Sequence, residues 1–236
     1  MIAMGPALIV LGVRALFSEF SQAAPIDILE VLPYADYQSV IGIIILLFAI
    51  VLAPDLLCPD RRDGTLALYF ATAVGRTEYL AGRFLGAALP LLMVTLVPML
   101  LLFAGVAFFD ESPLGYLREE WAQLPRMLVA GLLLAVYYAA VALAVASLTE
   151  RRAYAIGGYV LLLISSTAIA VLIQEARRDA TYAEVGELSA LPIGLARTLW
   201  PDSDLGTPTW AWAVGYLIVV GASAAVLLRR YRPERL

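Results

Sequence analysis

Three properties of the chain predict an all-α, polytopic membrane protein. Of its 236 residues 62% are hydrophobic, against about 45–50% in soluble domains, and mean hydropathy is +0.85. The apolar residues gather into long runs with few charges, and at ~1.5 Å per residue such runs cross ~30 Å of hydrocarbon. Within the runs apolar residues follow one another without the polar–apolar alternation of barrel strands. Backbone in lipid must satisfy its own hydrogen bonds, so each run is expected to be a helix. The whole chain, residues 1–236, reads as one transmembrane domain with no soluble domain.

Six spans are expected: Met1–Phe17, Val40–Leu57, Phe84–Phe109, Met127–Leu148, Ala153–Ile173 and Thr209–Leu228. The first carries Arg14 near one end, where a guanidinium snorkels to the headgroups or meets a substrate. Leu8–Phe17 followed by Ser21-Gln22-Ala23 has the outline of a signal peptide, but no basic residue precedes Arg14, so the segment is read as a retained span. The third span contains Pro90 and Pro98. Each proline removes an intrahelical hydrogen bond and is expected to kink the helix. The kinks read either as places that bend or line a pathway or as the structural prolines common in membrane helices. Gly82 and Gly86 form a small-xxx-small pattern suited to close helix packing or to a dimer contact.

Orientation follows from the arginines. With both termini cytoplasmic, Arg61, Arg62, Arg76, Arg83, Arg151, Arg152, Arg229, Arg230, Arg232 and Arg235 lie inside. Only Arg118, Arg126, Arg177, Arg178 and Arg197 lie outside, as the positive-inside rule prefers. Trp121, Trp200, Trp210 and Trp212 mark the outer boundary. Within the outer loop Glu175–Pro208, the segment Leu188–Trp200 mixes apolar residues with Pro192, Gly194 and Arg197, and is expected to lie in or dip into the outer interface.

Absences exclude much chemistry. All sixteen cations are arginine, and histidine is missing as well. A phosphate-cradling GxxxxGK[ST] loop needs its lysine, so the chain is not expected to be an enzyme that hydrolyses ATP. A histidine general base, a zinc–histidine site and a Schiff-base lysine are equally excluded. The single cysteine, Cys58, precludes an internal disulfide and reads as a small apolar residue at a helix end. No nucleic-acid partner is expected, and the tail Arg229-Arg230-Tyr231-Arg232 suits anionic lipid headgroups. The arginine-only, alanine-rich usage suggests a GC-rich prokaryotic genome and hence a plasma-membrane location.

The most informative stretch runs from Cys58 to Gly86, a polar island between two apolar spans. Asp60-Arg61-Arg62-Asp63 is expected to break the second helix, and Asp55 to pair with Arg61 or Arg62. After Gly64, Thr65-Leu66-Ala67-Leu68-Tyr69-Phe70-Ala71 forms two turns of amphipathic helix, which Thr72–Gly75 end. Thr77 is the expected N-cap of the next helix, with Glu78 in its first turn. Tyr79, Leu80 and Arg83 lead on into the third span. A short surface helix joined firmly to two spans can pass a push from a soluble partner into the bundle.

This loop resembles that of the type-2 ABC transporter permeases. Members commonly show a charged run, then Gly-Thr-Leu, an apolar helical stretch, an Arg and a Gly-basic pair opening the third span. Gly64-Thr65-Leu66, Arg76, Glu78-Tyr79-Leu80 and Gly82-Arg83 occupy those places. Ala67 stands where members often have glutamate, Ala73 where they often have proline, and Arg83 where lysine is common. The resemblance implies an exporter permease subunit, with a second permease subunit completing a homo- or heterodimer. Two ATP-binding subunits would carry ATP and magnesium, so this chain would bind no cofactor. It further implies coupling contacts at Arg61, Arg62, Asp63, Gly64, Thr65, Leu66, Tyr69, Arg76, Glu78 and Tyr79. The alternatives are an accessory membrane scaffold and a secondary transporter; the latter usually keeps ionisable residues at mid-membrane depth, where the expected spans hold none.

Overall fold

The computed structural model describes residues 34–64, 75–108, 113–176, 184–201 and 205–231. Its regular elements are helices: α1 (Tyr34–Arg62), α2 (Arg76–Phe108), α3 (Pro113–Glu119), α4 (Gln123–Ala146), α5 (Arg152–Ala176), a 3₁₀ turn at Glu184–Gly186, α6 (Leu191–Arg197) and α7 (Thr209–Arg230). Five of them, α1, α2, α4, α5 and α7, are long and apolar enough to cross a membrane. They correspond to the second through sixth expected spans. The expected first span, Met1–Phe17, lies outside the described residues, as does the expected surface helix with Thr65, Leu66 and Tyr69.

The helices overrun the expected spans. α1 has 29 residues and α2 has 33, roughly 44 and 50 Å at the α-helical rise, against ~30 Å of hydrocarbon. The surplus carries the polar sequence between them clear of the apolar layer. The charged run Asp60-Arg61-Arg62-Asp63 does end α1, as the sequence suggested, but only at its third residue. The helix continues through Pro59 to Arg62. Asp63 then donates its N–H to Pro59 O at 2.8 Å, and Gly64 takes φ +69°, the left-handed cap that glycine adopts without a Cβ penalty.

α2 begins at Arg76, so the cap position falls on Gly75 rather than Thr77. The Glu78 carboxylate reaches back to accept the Gly75 N–H at 2.9 Å, the acidic half of a capping box. Pro90 and Pro98 both lie inside α2, which runs as one helix to Phe108. Between them Thr95, fully buried, donates its hydroxyl to Leu91 O at 2.7 Å. An α-helix thus absorbs its own hydroxyl where no water is at hand.

α4 is the hub. It packs against α1, α2, α5, α6 and α7, and 67% of its membrane window is buried, against 11% for α5. Its sequence explains this, because the run Ala135–Ala146 alternates alanine and valine with Tyr137 and Tyr138. Between helices in lipid there is little hydrophobic driving force, so small residues that admit close approach decide the contact. α5, by contrast, shows Leu161, Ile164 and Leu172 outward.

α6 is packed inside the bundle. Its Leu191, Pro192, Gly194 and Ala196 are buried, and it packs on α1, α4 and α7. Gly194 is seated on the six-membered ring of Trp212, leaving no room for a Cβ, and Trp212 is itself buried at 1% exposure. Gly194→Ala should therefore overpack the core and cost about 1–3 kcal/mol, read as a thermal midpoint several degrees lower. Gly157→Ala, where no described atom lies within 4 Å of the added carbon, should leave the midpoint unchanged or higher.

Candidate functional site

The arginine-bearing ends of α1, α2, α5 and α7 lie on one side of the bundle, and the polar contacts of this face start from Asp60. Its Oδ2 accepts the Tyr79 hydroxyl at 2.6 Å and the Arg83 guanidinium. Arg83 also lies over the Tyr79 ring, 5.3 Å from its centroid. The Asp60 and Arg83 side chains are 13% and 25% exposed. Three groups from the two stems of the loop thus form one half-buried clamp. An arginine two turns into a membrane helix needs such a partner, because an unpaired charge at that depth is costly.

The clamp reaches further on its far side. Tyr231, at the C-terminal end of α7, stacks on Tyr79 with ring centroids 5.9 Å apart and planes at 43°, and both residues are buried. Cys58, one turn from Asp63 and just ahead of the clamp, is buried and donates its thiol to Thr149 O at 3.8 Å. Asp55 pairs at 3.0 Å with Arg152 at the start of α5. The pairing turns Asp55 toward the α4–α5 connection rather than toward Arg62, one of its two expected partners; the side chain of Arg61, the other, is not among those described. Both members of the Asp55–Arg152 pair are about half exposed, so it contributes at most about 1 kcal/mol.

The expected coupling residues divide accordingly. Arg62, Asp63, Gly64 and Glu78 are exposed; Arg62 pairs with Asp63 at 3.3 Å, with side chains 78% and 54% exposed. Arg61 ends α1 and Arg76 begins α2, but their side chains are not among those described. Tyr79 faces the protein interior, so its ring holds the loop stem rather than offering a docking contact. No described atom lies within 4 Å of a carbon added at Gly82 or Gly86, so the described helices do not close-pack there.

Asp60, Arg83 and Tyr231 were missed as a unit. Opposite charges at the facing ends of two consecutive spans were legible as a possible pair. Nothing in the sequence points to Tyr231, because the contact joins residues far apart in the chain. The arrangement holds no nucleophile–base pair. It supplies position: both stems of the loop are tied to each other and to α7, so a displacement of the loop moves three helices.

Removing the Asp60 carboxylate leaves Arg83 half-buried without that counter-ion. Asp60→Ala should cost about 1.5–3 kcal/mol, the range for hydrogen bonds to charged groups, whereas Arg62→Ala should cost under about 1 kcal/mol. Denaturation of the two variants in the same lipid or detergent checks the ordering.

A search of curated proteins returned no match. The family model described as ABC-2 family transporter protein matches residues 13–195, a stretch that contains Asp60, Tyr79, Arg83 and everything between them. A match over most of the chain, on a bundle with five apolar helices of spanning length, identifies it as a multi-pass membrane protein of the ABC-2 transporter family, a permease of the ABC type.

Proposed function

We propose that this permease is the membrane-spanning subunit of an ATP-driven exporter. The observation that carries the reading is the family match across the Cys58–Gly86 loop, whose two stems are locked together by Asp60, Tyr79 and Arg83. Two separate ATP-binding subunits dock on this loop from the cytosol and hydrolyse ATP there; the permease itself is not the enzyme and binds neither ATP nor magnesium. A second permease subunit completes the pathway across the plasma membrane of a prokaryote. The positive-inside rule places the loop and both termini in the cytosol.

Several features support this assignment. The chain has no lysine and so lacks the residue that a phosphate-binding loop requires; the engine belongs on another polypeptide. The clamp transmits force without adding flexibility, because each joint is short and partly buried. The exposed charges Arg62, Asp63 and Glu78 flank the docking loop, where a soluble partner can meet them. Arg61 and Arg76 close the two helices at its borders, and Thr65, Leu66 and Tyr69 belong to the loop itself. Pro90 and Pro98 sit in the helix that continues from the loop into the membrane, the place where bending would reach the pathway.

Pull-down of the permease expressed with a neighbouring Walker-type ATPase should recover the two together, and recovery of the permease alone would refute the partner. In the reconstituted complex, Arg62→Glu and Arg76→Glu should each reduce permease-dependent stimulation of ATP hydrolysis several-fold. The Arg62 variant should retain its thermal midpoint, since that side chain is exposed. Unaltered stimulation in both variants would remove the loop from the coupling role.

A further inference from the structure

The core at mid-depth contains more hydroxyls than its packing requires. Tyr137 and Tyr138 on α4, Tyr159 on α5 and Tyr216 on α7 are all buried. Tyr137 packs against Tyr138 edge-on, with centroids 5.6 Å apart, and against Tyr216 at 5.5 Å. Two of the four hydroxyls are settled by protein: Tyr138 donates to Ser189 O at 3.2 Å and Tyr216 to Leu133 O at 2.9 Å. The hydroxyls of Tyr137 and Tyr159, at 1% and 2% exposure, have no hydrogen-bond partner among the described residues.

These two residues occupy matching depths. Tyr137 precedes the end of α4 at Ala146 by nine residues, roughly 14 Å of helix. Tyr159 follows the start of α5 at Arg152 by seven, roughly 11 Å. The two helices are antiparallel neighbours joined by a short connection, so the two residues belong to the same level of the bundle. Tyr159 is also within electrostatic reach of Tyr137 and of Tyr138.

A polar column leads to this level from the opposite, acid-rich side. Glu187 accepts hydroxyl bonds from Thr167 at 3.0 Å and Ser189 at 2.6 Å. Leu188 donates its N–H to Ser166 Oγ at 3.3 Å, and Ser166 lies two turns along α5 from Tyr159. Ser189 in turn receives the Tyr138 hydroxyl. The sequence of groups Glu187, Ser189, Tyr138, then Tyr137 and Tyr159, descends from the segment just before α6 to the middle of the bundle.

A buried hydroxyl without a partner is destabilising, and phenylalanine would fill the same space without it. Water fits the chemistry: it both donates and accepts, as each phenol does, and buried water typically bridges two to four polar groups. We propose that the Tyr137 and Tyr159 hydroxyls jointly hold a resident internal water at the inner end of the Glu187 column. The column is the polar route by which that water enters from the α6 side.

The test is a double-substitution cycle on the full chain in lipid nanodiscs, read as thermal midpoint. Tyr137→Phe and Tyr159→Phe should each lower it by about 2–4 °C, the shift that loss of one ordinary hydrogen bond produces in a chain of this size. The double variant should fall no further than the lower single, because both hydroxyls share one water. Midpoints that hold steady or rise on losing a hydroxyl would overturn the proposal, and so would a double variant equal to the sum of the singles. Hydroxyl-radical footprinting gives an independent reading, since radicals form where water is held. Tyr137 and Tyr159 should be modified several-fold faster than the comparably buried Phe103; protection equal to that of Phe103 would also refute the site.

Discussion

A polar atom inside hydrocarbon has no solvent to fall back on, and this constraint shapes the bundle from backbone to side chain. The backbone responds by becoming helical over spans far longer than a soluble protein of this size needs. Side-chain hydroxyls respond by folding back onto the preceding turn, as Thr95 does onto Leu91 and Ser165 onto Leu161. Tyr216 reaches across instead, to Leu133 O on α4. Charges respond by moving to the ends or by pairing: Arg83, two turns into α2, is held by Asp60.

Packing inside the bundle obeys a second rule that follows from the first. With lipid as apolar as leucine, helices gain little by hiding leucine from it, and close approach must supply the attraction. α4 meets this demand with small residues and tyrosines and becomes the most enclosed helix. Glycines take the tightest seats: Gly194 beneath Trp212, Gly42 against Ile193, and Gly215 against Leu191. All three contacts involve α6 or the residues it touches, so this seven-residue helix is wedged among the spans by shape rather than by charge.

The two ends of the molecule are built differently. On the basic side, an ion pair, a stacked pair of tyrosines and a thiol–carbonyl contact join α1, α2, α7 and the α4–α5 connection. On the acid-rich side, neutral donors dominate: Trp200 Nε1 to Gln123 Oε1 at 2.9 Å, and the hydroxyls around Glu187. The basic side fixes to one another the two helices that border residues 65–74. Tyr79 illustrates the point. Sequence and family resemblance put it among the docking contacts, yet its ring is enclosed between Asp60, Arg83 and Tyr231.

Much of this was readable from the chain. Membrane residence, the helical class and five of the spans follow from uninterrupted apolar runs, because hydrocarbon selects for composition that a sequence displays directly. The charged, glycine-bounded loop stood out for the same reason, and the family match over residues 13–195 agrees with the resemblance read there. Helix ends were less legible: α1 runs five residues past the expected end of its span at Leu57, to Arg62, and Asp60 in its last turn pairs with Arg83 of α2, which lies 23 residues away. The burial of α6, the partnership of Asp55 with Arg152 and the stacking of Tyr231 on Tyr79 were decided by tertiary structure alone. Apolar patterning in a membrane protein tells which residues avoid water; both lipid and protein satisfy that preference, so only the packed bundle reveals which faces turn inward and which distant residues meet.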